Sequence, residues 1–123
     1  MKPRLYIETT IPSYLTSRPG NNIVTAARQQ VTKEWWASER EKFEMFISQF
    51  VLEEAEDGDA GAASERLNAI ADLPLLTVTP PAIPLASQFL SNGIIPKKAE
   101  RDAAHIAVAS VNKMDYLMTH VTQ

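Results

Sequence analysis

Apolar positions along this chain alternate between short β-favouring runs and longer stretches with a helical repeat. Leu5-Tyr6-Ile7 is an apolar run that ends at Glu8-Thr9-Thr10, which predicts a buried strand followed by a turn. Pro12 suits the first turn of a short helix, where its missing N–H costs nothing. Arg18-Pro19-Gly20-Asn21-Asn22 has the composition of a loop, and Asn22 is placed to cap the helix after it. In that helix Ile23, Ala27, Val31 and Trp35 recur every fourth residue. The spacing predicts one apolar stripe, with Trp35 in the core. Trp36 falls off the stripe and is expected to be exposed, as a candidate partner contact.

Phe43-Glu44-Met45-Phe46-Ile47 predicts a second strand. Ser48 is a plausible cap for a helix carrying Phe50, Val51, Leu52 and Glu54. Glu56-Asp57-Gly58-Asp59 interrupts the pattern, and Asp59 is placed to cap a helix with Ala63, Leu67 and Ile70 in step. Leu73-Pro74-Leu75-Leu76-Thr77-Val78 predicts a third strand, at a sheet edge because of Pro74. A helix around Ile83 to Leu90 is expected to stop near Gly93. Pro96 opens another, which runs through Asp102, Ile106 and Ala109, and Tyr116-Leu117-Met118-Thr119 predicts a fourth strand. Strands alternating with helices indicate an α/β fold, a mainly parallel sheet of about four strands sandwiched by helices. Sites in such sheets form at the carboxyl ends of the strands.

Composition narrows the chemistry. The 123 residues suit a single domain over 1–123. There are no cysteines, so disulfides, thiolate metal sites and a cysteine nucleophile are excluded. The two histidines are too few for a multi-histidine zinc site. No apolar run is long enough to cross a bilayer, and the N-terminus lacks the apolar core of a signal peptide, so a cytoplasmic protein with no membrane partner is expected. No Gly-rich phosphate loop exists, which disfavours nucleotide hydrolysis. Net charge is −3. Residues 1–50 hold seven Lys/Arg against five Asp/Glu, and the remainder five against ten. Most of these later acids are expected to be solvated helix faces. A few are candidates for a shared cation: Glu8 ends the first strand, Glu54 lies in the helix after the second, and Asp102 lies on the helix leading to the last.

Four segments resemble the PIN-domain family, which includes the VapC-type toxins of bacterial toxin–antitoxin pairs. Leu5-Tyr6-Ile7-Glu8-Thr9-Thr10-Ile11-Pro12 is similar to the opening PIN strand and its Asp-Thr-Asn, with Glu8 for Asp and Thr10 for Asn. Ile47-Ser48-Gln49-Phe50-Val51-Leu52-Glu53-Glu54-Ala55 resembles the PIN pattern of strand, Ser, mostly apolar positions and Glu. Asp102-Ala103-Ala104-His105-Ile106-Ala107-Val108-Ala109 resembles Asp-Ala-x-x-x-Ala-x-Ala. Asp115-Tyr116-Leu117-Met118-Thr119 resembles the PIN strand that ends in Thr. The resemblance implies a metal-dependent endoribonuclease with Mg²⁺ or Mn²⁺ held by Glu8, Glu54 and Asp102. It further implies Thr9 and Thr119 as pocket-orienting hydroxyls, an RNA substrate, and a cognate antitoxin or a homodimer as partner. Hard oxygen ligands suit those cations.

Other residues have weaker readings. Lys97, Lys98 and Arg101 precede Asp102 and are candidate RNA contacts, since a few cations near such a pocket supply most non-specific affinity. His105 lies one turn after Asp102 on the same side; packing or hydrogen bonding near the helix is its expected role, and contact with a ligand or phosphate is the sharper alternative. The chain departs from the family pattern at Val121, where related branches have Asn, and it ends at Gln123, where the family continues with a final strand and helix. These departures predict an incomplete PIN-like fold with Tyr116 to Thr119 at a sheet edge. They also predict weakened metal binding, so the alternative is a catalytically impaired PIN-like module that binds an antitoxin or RNA.

Overall fold

The computed structural model describes residues 1–93 and 99–120. Its elements run β1 (Arg4–Ile7), α1 (Thr10–Thr16), α2 (Ile23–Glu39), a 3₁₀ turn (Arg40–Lys42), β2 (Glu44–Ser48), α3 (Gln49–Glu56), α4 (Ala60–Ala69), β3 (Leu75–Leu76), α5 (Ala82–Ser91), α6 (Glu100–Val111) and β4 (Tyr116–Met118). The four strands form one parallel sheet in the order β3-β2-β1-β4. This is the α/β architecture expected from the alternation of strand and helix patterns.

β1 is one of the two inner strands, in register with both neighbours. Leu5 lies between Met45 and Tyr116, and Tyr6 between Phe46 and Leu117. A parallel strand in this position is covered on both faces, and Leu5, Tyr6 and Ile7 are all buried. They share one core cluster with Ile11, Met45, Ile47, Val51, Ile70, Val108 and smaller residues. Burial of each large side chain contributes roughly 1.5–3 kcal/mol. On α6, Ala103 and Ala107 are fully buried. Side chains this small let the helix backbone lie close to its neighbours, which positions whatever else α6 carries.

Several local expectations hold, each for an identifiable reason. Asn22 Oδ1 accepts from the Val24 and Thr25 N–H groups and starts α2. Asp59 likewise accepts from the Ala62 N–H at α4. Gly93 follows α5 with φ +71°, a conformation that suits glycine. β3 is an edge strand, but only Leu75–Leu76 of the run Leu73 to Val78 pair with β2. Pro74 has no N–H to give, and the Leu73 N–H is held by the Ile70 carbonyl at 3.1 Å. β4 is the opposite edge and, among the described residues, pairs with β1 alone.

The face of α2 is a correction. Ile23 and Val31 are 84% and 61% exposed, and Ala27 is exposed too. The buried residues of this helix are Gln29 and Thr32. Trp35 and Trp36 are both half-buried at the rim of the core, so the expected exposure of Trp36 is not found. The Arg40 guanidinium covers its ring at 4.6 Å. Helical periodicity locates an apolar stripe but not the direction it faces. Here the inward face is held by polar anchoring: Gln29 Nε2 donates to the Arg18 carbonyl, and Gln29 Oε1 accepts from the Gly20 N–H. Among the described residues no helix is long and apolar enough to cross a membrane.

Candidate metal centre at the carboxyl edge of the sheet

Strands of a parallel sheet all deliver their succeeding residues to one edge. Glu8 directly follows β1, Thr119 directly follows β4, and α3 begins where β2 ends. The Glu8 N–H donates to the Met118 carbonyl at 3.1 Å, which ties the end of β1 to β4.

Glu8 is buried. Its Oε1 accepts from the Thr10 N–H at 3.1 Å, the Thr10 hydroxyl at 2.6 Å and the Thr119 hydroxyl at 2.6 Å. Hydrogen bonds to a charged group contribute about 1.5–3 kcal/mol each, enough to offset much of the cost of burying this acid. Thr10 Oγ1 also accepts from the His120 N–H at 2.8 Å. One hydroxyl thus joins the starts of two segments that lie 110 residues apart.

Glu54 projects from α3 toward the same edge. Its Oε1 accepts from the Thr9 hydroxyl and faces His105 Nε2 at 2.6 Å. Its Oε2 lies 3.9 Å from the Arg101 guanidinium. Burial by itself raises the pKa of this carboxyl, but hydrogen bonds from His105 and Thr9, with nearby positive charge including Arg101, outweigh burial and lower it. Glu54 is therefore an ionised acceptor at neutral pH and is unsuited to donate a proton.

His105 is buried in the middle of α6. Its Nδ1 lies 2.6 Å from the Tyr6 hydroxyl, which lies 2.7 Å from the Ser48 hydroxyl. Ser48 is at the N-cap position of α3 but makes no capping bond with its side chain; its hydroxyl is turned to Tyr6. Burial pushes the Tyr6 phenol well above its ordinary pKa of 10.0, so it stays protonated.

One ligand atom each from Glu8, Glu54 and His105 lies within 4.8 Å of the others. Mg²⁺ takes oxygens at about 2.0–2.1 Å, so ligands on opposite sides of it stand about 4.2 Å apart. The group is thus on the scale of one ion. The residues fit a hard cation: each carboxylate is held by hydrogen bonds to Oε1, and its Oε2 accepts none among the described residues.

Asp102 stands in the first turn of α6, half-buried, one turn before His105. It is outside the group of three, and its side chain makes no hydrogen bond among the described residues. Arg101 is exposed at the rim. Trp36 lies on α2, an element that supplies none of the three. Lys97, Lys98, Pro96 and Val121 lie outside the described residues.

Sequence reasoning gave His105 only a minor place and overlooked Tyr6. The signal for His105 was its spacing of three from Asp102 on a helix. Tyr6 gave no signal, because it reads as one more apolar strand residue.

No family model matches the chain, and no curated protein does. Among solved structures it is similar to Mycobacterium tuberculosis VapC20, described as a Sarcin-Ricin loop cleaving toxin. The two share 16% sequence identity with a TM-score of 0.61, over 97% of this chain and 91% of that one. At that identity the likeness is one of fold. It agrees with the four-stranded parallel sheet and the flanking helices. The chain has the VapC-like PIN fold.

Proposed function

We propose that this chain is a divalent-metal-dependent endoribonuclease of the PIN toxin type, acting in the cytoplasm. The observation that carries the reading is the meeting of Glu8 and Glu54 at the carboxyl edge of the sheet, within the span of one cation. Glu8 and Glu54 would hold Mg²⁺ or Mn²⁺ through their carboxylates. Asp102, half-buried one turn before His105 on α6, would supply a third carboxylate directly or through water. The bound cation supplies an activated water and compensates charge on the phosphate.

The chain's own groups do the rest. Thr10 and Thr119 hold Glu8, and Thr9 and His105 hold Glu54. The ligands are thus ordered before a cation arrives, which lowers the cost of binding it. Arg101, exposed at the rim, would meet a substrate phosphate, and Lys97 and Lys98 belong to the same expectation. Following the PIN family, water would displace the 3′-oxygen and leave a 5′-phosphate and a 3′-hydroxyl.

A protein partner, an antitoxin or a second copy, belongs to the same proposal. The exposed Ile23, Val24 and Val31 on α2 support a protein contact there more directly than Trp36 does.

One observation favours a second reading, a PIN-like module with impaired catalysis. Among the described residues only two carboxylates meet, because Asp102 is outside the group. Mn²⁺ binding and cleavage of an end-labelled single-stranded RNA, measured for the wild type, Glu54→Gln and Asp102→Asn, separate the two. Cleavage that both substitutions abolish supports the nuclease. Metal binding without cleavage in the wild type supports the impaired module, and no metal binding removes both metal readings.

A further inference from the structure

His105 is one of three groups near enough to share a cation, yet both of its ring nitrogens are already engaged. Nε2 faces Glu54 Oε1 at 2.6 Å and Nδ1 faces the Tyr6 hydroxyl at 2.6 Å. An ionised carboxylate only accepts, so Nε2 carries a proton. The Tyr6 hydroxyl has one proton and two neighbours, Ser48 Oγ and His105 Nδ1. Ser48 has no other side-chain partner among the described residues, so its own proton goes to Tyr6. Tyr6 then donates to Nδ1, a better acceptor than a hydroxyl. Protons run in one direction, from Ser48 to Tyr6 to His105 to Glu54, and every group has a defined role.

Resting on the metal-site reading above, we infer that Tyr6 and His105 form a buried orienting relay, in which His105 positions the Glu54 carboxylate and does not itself ligate the cation. With Nε2 protonated and the Nδ1 lone pair held by Tyr6, the ring has no electron pair to offer. The relay also accounts for the fully buried hydroxyls of Tyr6 and Ser48, which the metal site does not otherwise use. His105 is a positioning residue: it holds Glu54 Oε1 and so fixes the orientation of that carboxylate.

Two readouts test this. The chain has two histidines, so long-range ¹⁵N–¹H spectra of their side chains are assigned with His105→Gln alone. The expected pattern at neutral pH is a fixed Nε2–H tautomer for His105, with an exchange-protected proton and an Nδ1 resonance that shifts in Tyr6→Phe. An Nδ1–H tautomer, an imidazolium, or fast averaging of tautomers overturns the relay.

The second readout is Mn²⁺ itself. Loss of an outer partner of a metal ligand weakens affinity roughly 10- to 100-fold. That loss is expected for His105→Leu, with most of it recovered in His105→Gln, whose amide N–H still reaches toward Glu54. Affinity unchanged in His105→Leu, or a directly bound ¹⁴N in the pulsed EPR spectrum of the Mn²⁺-loaded wild type, overturns the assignment. A wild type that binds no Mn²⁺ overturns the metal reading, while the tautomer pattern still decides the relay. Should His105→Leu fail to fold, Tyr6→Phe and His105→Gln carry both measurements.

Discussion

His105 Nε2 stands 2.6 Å from Glu54 Oε1, across 51 residues of chain. This contact joins α6 to α3 at the carboxyl edge of the sheet. The same carboxylate oxygen takes the Thr9 hydroxyl from the end of β1, so one side chain gathers three segments. Buried polar networks of this kind stabilise when complete and destabilise when one member is removed.

Tyr6→Phe removes a single oxygen and leaves Ser48 Oγ and His105 Nδ1 without their partner. A buried polar group left unsatisfied costs about 1–3 kcal/mol. Urea unfolding is expected to show a loss of about 2 kcal/mol. A loss below about 0.5 kcal/mol, the scale of ordinary surface changes, would mean that water enters and repairs the network.

The two threonines on Glu8 should differ in their effect. Thr119→Val removes one donor to the carboxylate. Thr10→Val removes such a donor and also the acceptor for the His120 N–H. Thr10→Val is expected to be the more destabilising, by about 1 kcal/mol, the net worth of one further hydrogen bond. Paired denaturation curves check the order, and equal losses would count against the second role of Thr10.

On α2 the apolar face should be silent and the polar face sensitive. Ile23→Ser and Val31→Ser are expected to shift stability by no more than about 0.5 kcal/mol, because both side chains are exposed. Gln29→Ala breaks two hydrogen bonds to the preceding loop and is expected to cost about 2 kcal/mol. The reverse ranking in thermal or urea unfolding would mean that α2 is rotated from the orientation described.

Acid should weaken the fold in two stages. Burial, with Arg28 nearby, lowers the pKa of His120 below its ordinary 6.5. Between the folded and unfolded values the unfolded chain binds more protons, so stability falls as pH drops through 6.5. Glu54 is lowered from 4.5, and its contribution is present above that value and lost as pH falls toward the folded one. Urea midpoints against pH should show both losses. His120→Gln should remove the first and Glu54→Gln should shrink the second.

Much of this molecule was legible in one dimension. Leu5-Tyr6-Ile7 and Phe43 to Ile47 are short, apolar and β-favouring, and each became a strand of the parallel sheet. Asn22 and Asp59 announced helix starts because a cap needs only its own neighbours in the chain. The positions of Glu8 and Glu54 after the first two strands were also visible, since parallel topology sends both to one edge.

The features that escaped depend on contacts between distant segments. The apolar repeat of α2 has the right period, but only packing decided that Gln29 and Thr32 face inward while Ile23 and Val31 face out. Ser48 looks like a cap until Tyr6 is brought beside it. His105 draws little notice on its helix until Glu54 and Tyr6 arrive at its two nitrogens. Periodicity and capping are properties of neighbouring residues, so sequence carries them. A hydrogen bond across 42, 51 or 99 residues exists only once the chain has closed on itself, and there the tertiary structure had the decision.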